Sequence, residues 1–205
     1  MFNIYITECS SISAKGELNK YSKLKRYINK NDKQLAICSM KYKYFFVKKH
    51  NYDINDLVLT KKPYVKNAKY HFSISHSYPY CVFCESKNEI GIDVQYINKK
   101  INYSRIMKKK FFDEEKKYIK NDIKKFYKIW TCKEALYKAL NKQDQKKNKL
   151  TNLFINNKKN KLFSIVNKKK YYFVFKYIKN FILCVSSTNE KNKLKIFNFK
   201  YSSFE

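Results

Sequence analysis

Glu89-Ile90-Gly91-Ile92-Asp93-Val94-Gln95-Tyr96 is the stretch from which the rest of the chain can be read. Its apolar residues predict a buried strand, and it carries one of only two glycines in the sequence. Asp93 stands between Ile92 and Val94, where an unpaired carboxylate would cost on the order of several kcal/mol, so it needs a cation. An Asp at a strand end facing solvent is the alternative. Further along, Phe126, Ile129, Trp130, Tyr137 and Leu140 recur at helical spacing over 123–140. Glu134 is the only acid between Phe126 and Leu140; it follows Trp130 by four residues and precedes Lys138 by four, on one helix face. An exposed Glu–Lys pair is the plain alternative. A strand carboxylate and a helix carboxylate with lysines alongside make a hard-oxygen magnesium site that leaves positions for phosphate oxygens and water.

Working outward, Phe2, Ile4 and Ile6 alternate in residues 1–11 and predict a first strand, with no basic flank and apolar block of an export signal. A helix capped by Asn31 or Asp32 carries Leu35, Cys38, Tyr42, Phe45 and Phe46 and ends near His50. Strands are predicted at 56–60, 72–75 and 80–85, with a proline turn at 61–64 and a turn at Lys87-Asn88. Beyond Tyr96, helical stretches cover 103–120, with Asp113 as an internal cap, and 123–140. A meander follows at 150–155, 161–166, 171–177 and 181–186, then a short strand at 195–199. The order predicts an α+β chain of two lobes, 1–88 and 89–190, the second carrying the metal site, with 191–205 as a C-terminal extension.

Lys+Arg number 46 against 16 Asp+Glu, a net charge of +30, and only Arg26 and Arg105 are arginine. Readers of nucleic acid keep arginine for bidentate contacts, so a charge carried by lysine weighs against that class. The joint abundance of Lys, Asn, Ile, Tyr and Phe matches A+T-rich codons, and much of the charge then reflects solvated faces. The field still draws polyanions at a rate that salt suppresses. Hydrophobic residues at 44% exclude a disordered basic tail, and two Gly with two Pro exclude collagen-like and glycine-loop architectures. No apolar run reaches the ~18 residues of a membrane span, and the six cysteines lack framework spacing, so reduced thiols in a cytoplasmic protein are expected. Cys81 and Cys84 fall on opposite strand faces, with no second pair to complete a zinc site. His76, in Ser73-Ile74-Ser75-His76-Ser77, is expected just after a strand, where it can bind an anion or move a proton; His50 and His71 have plain contexts. No serine has the flanking glycines of a nucleophile elbow, which closes the Ser–His–acid route.

Taken together, Lys62-Pro63-Tyr64, Phe72 to Ser77, Gly91-Ile92-Asp93-Val94, Phe111-Phe112 with acids after it, and Trp130-Thr131-Cys132-Lys133-Glu134-Ala135 with Lys138 occur in a familiar order. Over residues 1 to 190 the chain resembles the 4′-phosphopantetheinyl transferase superfamily, specifically the surfactin-type (Sfp-type) single-chain members. The resemblance implies a pseudo-dimer of two similar α/β lobes with the active site in the cleft between them. It implies transfer of the phosphopantetheine arm of coenzyme A to a serine of an acyl or peptidyl carrier protein, releasing 3′,5′-adenosine bisphosphate, by a monomer. Carried over, Asp93 and Glu134 hold Mg2+, with Gln95 at the third position. Lys138 and His76 contact coenzyme phosphates, Lys62 lies near the adenosine phosphate, and Ser75 and Lys133 complete the coenzyme contacts. Glu115 falls where the family is proposed to place a general base, although another spacing would put Lys116 there.

This sequence departs from that pattern at Gln95, where a third acid is frequent, at Gln34-Leu35, where an arginine usually faces the coenzyme, and at Lys61, in place of glycine. Lys23, Lys25 or Arg26 would compensate for the arginine. The rival class is a basic nucleic-acid-binding module, which requires exposed aromatics interleaved with lysine and has no use for Asp93 or Glu134.

Overall fold

The computed structural model describes residues 2–12, 29–60, 62–147, 151–156, 161–190 and 193–199; Lys23, Lys25, Arg26 and Lys61 lie outside them. The chain divides into two units. One comprises Asn88–Lys193, and the other the described residues of Phe2–Lys87 and of Leu194–Glu205.

In the latter unit, β1 (Phe2–Glu8) buries Phe2, Ile4 and Ile6, as its alternation requires, and gives way to a short 3-10 turn at Cys9–Ser11. Helix α1 (Lys30–Lys49) is capped by the Asn29 side chain, which accepts from the Asn31 N–H at 2.7 Å, so the cap is neither Asn31 nor Asp32, which lie inside the helix. It buries Leu35, Cys38, Tyr42 and Phe46. The strand expected at 56–60 shrinks to β2 (Leu57–Val58), paired with β3 (Tyr64–Val65), because a 3-10 turn at Ile54–Asp56 takes its start. Two full strands follow, β4 (His71–Ser77) and β5 (Tyr80–Ser86).

The other unit opens with β6 (Ile90–Tyr96). The single helical stretch expected over 103–120 is two helices, α2 (Tyr103–Lys110) and α3 (Asp113–Ile119). The break at Phe111-Phe112 is stabilised by Glu115, whose Oε2 accepts from the Phe112 N–H at 2.9 Å; Asp113 is the first helical residue and not the cap. Helix α4 (Ile123–Ala139) is capped by Asp122 and followed by α5 (Lys142–Lys147), which the sequence reading did not include. The meander is β7 (Phe154–Asn156), β8 (Lys161–Val166), β9 (Lys169–Ile178) and β10 (Phe181–Ser187). The last strand, β11 (Leu194–Asn198), belongs to the first sheet.

The four-stranded sheet has the order β11-β1-β5-β4, with β11 parallel to β1 and the other pairs antiparallel. Against it packs an aromatic core in which Tyr42 stacks on Phe83 at 5.1 Å and donates or accepts a 2.7 Å bond with Thr7 Oγ1. The five-stranded sheet has the antiparallel order β6-β10-β9-β8-β7, and α4 lies across it. Its core joins Phe126, Ile129, Cys132, Leu136 and Leu140 to Leu162, Tyr171 and Ile182; Tyr137, expected on the buried stripe, is half-buried. Among the described residues no helix is long and apolar enough to cross a membrane, and all six cysteines are buried free thiols.

Candidate functional site

The distinctive contact of the second unit is the one between β6 and α4. A Cβ on residue 91 would lie 1.9 Å from the Ala135 carbonyl oxygen and 2.5 Å from the Ala139 nitrogen, so only glycine lets the helix backbone approach the strand this closely. Residues 91, 93 and 95 alternate onto one strand face, which is therefore the face turned to α4. Glycine at 91 thus sets the distance at which Asp93 meets the helix.

Asp93 is 2% exposed. Its Oδ1 accepts from Lys138 Nζ at 2.7 Å and its Oδ2 from Gln95 Nε2 at 2.9 Å. The carboxylate predicted to need a cation therefore has one, supplied from the last turn of α4. The plain alternative of a solvent-facing Asp93 is excluded by its burial, and Lys138 extends to the strand carboxylate. Glu134 is half-buried one turn before Lys138 on the same helix. Gln95 turns its amide nitrogen, not its oxygen, to Asp93.

One residue before Glu134, Lys133 faces a different acid. Its ammonium lies 2.8 Å from Glu115 Oε1 and donates to the Thr151 carbonyl at 2.8 Å. Burial pushes this ammonium below the usual lysine range, and the Glu115 carboxylate offsets part of that. Glu115 is fully buried; besides Lys133 it accepts from the Phe112 N–H and, at 3.0 Å, from the Leu153 N–H. Its oxygens are committed to ordering three segments: the start of α3, the middle of α4 and the chain entering β7. The sequence signal for this was present in Phe112-x-x-Glu115, an acid three residues after a helix start, which reads as a cap. The partners Thr151 and Leu153 had no local signal.

The remaining predicted residues lie in the other unit. His76 is exposed and sits within β4, which extends to Ser77, rather than after the strand. It shares the strand face of Phe72 and Ile74, whereas Ser75 is buried on the opposite face. Lys62 is half-buried between β2 and β3, where its carbonyl accepts from Thr60 Oγ1 at 2.6 Å.

Among the described residues, no three or more His, Cys, Asp or Glu side chains gather in a group that could hold a metal ion. The donors at β6 and α4 are sparser: the carboxylates of Asp93 and Glu134, the more buried of which already accepts from a lysine ammonium and from the amide nitrogen of Gln95, so that Gln95 would have to turn over to offer its oxygen. Such a set fits Mg2+, which keeps several waters and takes one or two protein carboxylates beside substrate phosphates. It does not fit zinc, which takes a closed nitrogen and sulfur shell in structural sites.

Residues 89–186 match the family model of the 4′-phosphopantetheinyl transferase superfamily. The matched segment contains Asp93, Gln95, Glu115, Lys133, Glu134 and Lys138, while Lys62, Ser75 and His76 precede it. No curated protein matches the chain.

Proposed function

We propose, from the match over residues 89–186 and the carboxylate–lysine arrangement within it, that the chain transfers the 4′-phosphopantetheine arm of coenzyme A to a serine of an acyl or peptidyl carrier protein and releases 3′,5′-adenosine bisphosphate. The serine oxygen forms a bond to the phosphorus that bears the pantetheine arm. The bond from that phosphorus to the bridging oxygen breaks, and the serine proton leaves to a base. The observation that carries the reading is the 2.7 Å contact of Lys138 with the buried Asp93, which brings an ammonium and a carboxylate from separate elements to one point. In this reading Asp93 and Glu134 hold Mg2+, with Gln95 or water beside them. The metal supplies Lewis-acid stabilisation of charge building on the phosphate oxygens.

The chain's own residues do the rest. Lys138, 28% exposed at its side chain, is near enough to the carboxylate to neutralise charge on a diphosphate held there. Lys133 contributes a second positive charge on α4, and Glu115 acts as its positioning residue, since a base must reach the substrate proton and the oxygens of Glu115 are engaged in the interior. His76 and Lys62 are proposed coenzyme contacts in the same reading, whereas the Ser75 side chain, buried on the strand face opposite His76, does not share that role. The surfactin-type assignment, a monomeric state and action in fatty-acid, nonribosomal-peptide or polyketide synthesis belong to the same proposal.

A melting scan tests it. Coenzyme A with Mg2+ at a hundredfold excess over its dissociation constant should stabilise the protein by ~2.7 kcal/mol, and less in Lys138→Ala and His76→Ala. Stabilisation by a single-stranded oligonucleotide alone, with none from coenzyme A and Mg2+, would favour the rival nucleic-acid reading.

A further inference from the structure

Three of the six buried thiols meet in the unit that contains β1, α1, β4 and β5. Cys9 opens the 3-10 turn after β1, Cys38 lies on α1 and Cys81 on β5, and all three belong to one core cluster. Each thiol is within hydrogen-bonding reach of the other two. The turn is held to the helix on the same side. Gln34, one turn before Cys38 on α1 and 2% exposed, donates its amide N–H groups to the Ser10 carbonyl at 3.1 Å and the Ile12 carbonyl at 2.8 Å. The Cys9 N–H donates to the Pro79 carbonyl at 2.7 Å, so the turn is fixed between α1 and the β4–β5 hairpin. The trio is not a metal site, since among the described residues no three or more such side chains could hold an ion.

The three thiols do not hold their protons equally. Hydrogen bonds from Cys38 and then Cys81 outweigh burial and lower the Cys9 thiol to about 5, and a positive charge on His76 acts in the same direction. His76 is exposed and pairs with Cys81 across β4 and β5. Burial pushes Cys81 the other way, so it keeps its proton and donates. Ser10 and Ser11 of the same turn are exposed, which puts Cys9 one residue beneath the surface, within reach of a reagent hardly larger than water.

We infer that Cys9 and Cys38 form a reversible oxidation site for a small hydroperoxide, which converts the two thiols to a disulfide. The Cys9 thiolate attacks the peroxide: a sulfur–oxygen bond forms, the oxygen–oxygen bond breaks, and the departing oxygen takes a proton from solvent and leaves as water or an alcohol. The Cys38 sulfur then attacks the sulfenic sulfur of Cys9. A sulfur–sulfur bond forms, the sulfur–oxygen bond breaks, and the second oxygen leaves as water with the Cys38 proton. The two cysteines lose two electrons, which reduce the hydroperoxide, and an external dithiol restores both. Before the first step, the bond from Cys81 lowers the Cys38 thiol, but Cys9, by bond and charge, and burial push it up overall. Oxidation of Cys9 removes that charge and releases Cys38 for the second step. Closing from hydrogen-bonding reach to a bond of about 2 Å draws the turn onto α1.

The test treats the full, reduced chain with hydrogen peroxide, alkylates the remaining thiols after unfolding, and maps the cysteine peptides by mass spectrometry. One bond should form, joining Cys9 to Cys38 with the loss of two hydrogens, and dithiothreitol should reverse it. It should form at least about tenfold faster than any bond between Cys132 and Cys184. Those two are a buried pair 4.0 Å apart in the other unit, where burial and then the contact with Cys132 hold Cys184 above the usual thiol range. Cys38→Ala should leave a sulfenic acid at Cys9 that dimedone labels, and Cys9→Ala should give neither product. The wild-type map stands by itself if either variant folds poorly. Six thiols that survive the peroxide or react alike, or a bond from Cys9 to Cys81 in place of Cys38, would overturn the assignment.

Discussion

Lys138 Nζ and Asp93 Oδ1 lie 2.7 Å apart, joining the last turn of α4 to the middle of β6 across a contact that only glycine at 91 permits. The carboxylate is almost wholly buried and the ammonium is partly open to water, an asymmetry that makes the acid the group with more to lose. Lys138→Met should lower stability by about 1–3 kcal/mol, the lower end reflecting screening of the half-open ammonium. Millimolar Mg2+ should recover part of that loss by replacing the missing cation. Urea unfolding in chelator and in Mg2+ measures both; a variant as stable as wild type in chelator would mean the contact contributes nothing.

Gly91→Ala should destabilise by about 3 kcal/mol or more, because the new methyl group meets helix backbone at 1.9 Å and 2.5 Å and backbone cannot step aside as a flexible side chain does. Denaturant midpoints report it. An unchanged midpoint would show that α4 rides further from β6.

Gln95→Glu distinguishes a ligand from a donor. Gln95 gives an N–H to Asp93, so a glutamate there puts two carboxylates together. The variant should melt lower than wild type in chelator and regain that loss in Mg2+, with tighter metal binding. A variant that melts like wild type in chelator would show that the amide contact is unimportant.

Glu115→Gln and Lys133→Met should each cost about 3–5 kcal/mol, since each leaves a buried charge without its partner. The double variant should be less destabilised than the sum of the two, with a coupling of about 1–3 kcal/mol. Additive losses would mean that the pair acts through separate contacts. Glu115→Gln should also lower the transfer rate by displacing Lys133, with the pH profile unshifted. A profile losing its acidic limb, the rise in rate with pH that a base produces as it deprotonates, would point to Glu115 as the base.

Legibility followed range. The strand Ile90–Tyr96 and the helix around Glu134 were readable because period, glycine and charge lie within one element, and the four-strand meander because each hairpin is local. The cap of α1 at Asn29 and the break between α2 and α3 were missed by a few residues, where several polar side chains compete for the same backbone N–H groups. His76 was placed beyond its strand because Ser75 and Ser77 carry no apolar signal, although pairing with Cys81 and Tyr80 keeps that segment extended. What could not be read were contacts joining distant residues: Glu115 with Leu153, Lys138 with Asp93, and the parallel return of β11 to β1, which no periodicity encodes.

The most direct test of the central claim is mass spectrometry of an apo acyl carrier protein incubated with coenzyme A, Mg2+ and the wild-type chain, Asp93→Ala or Glu134→Ala. Wild type should add one phosphopantetheine to the carrier serine, and each variant should lose at least about a hundredfold in rate while still unfolding cooperatively. No added mass with wild type, or near-normal transfer by either variant, would contradict it.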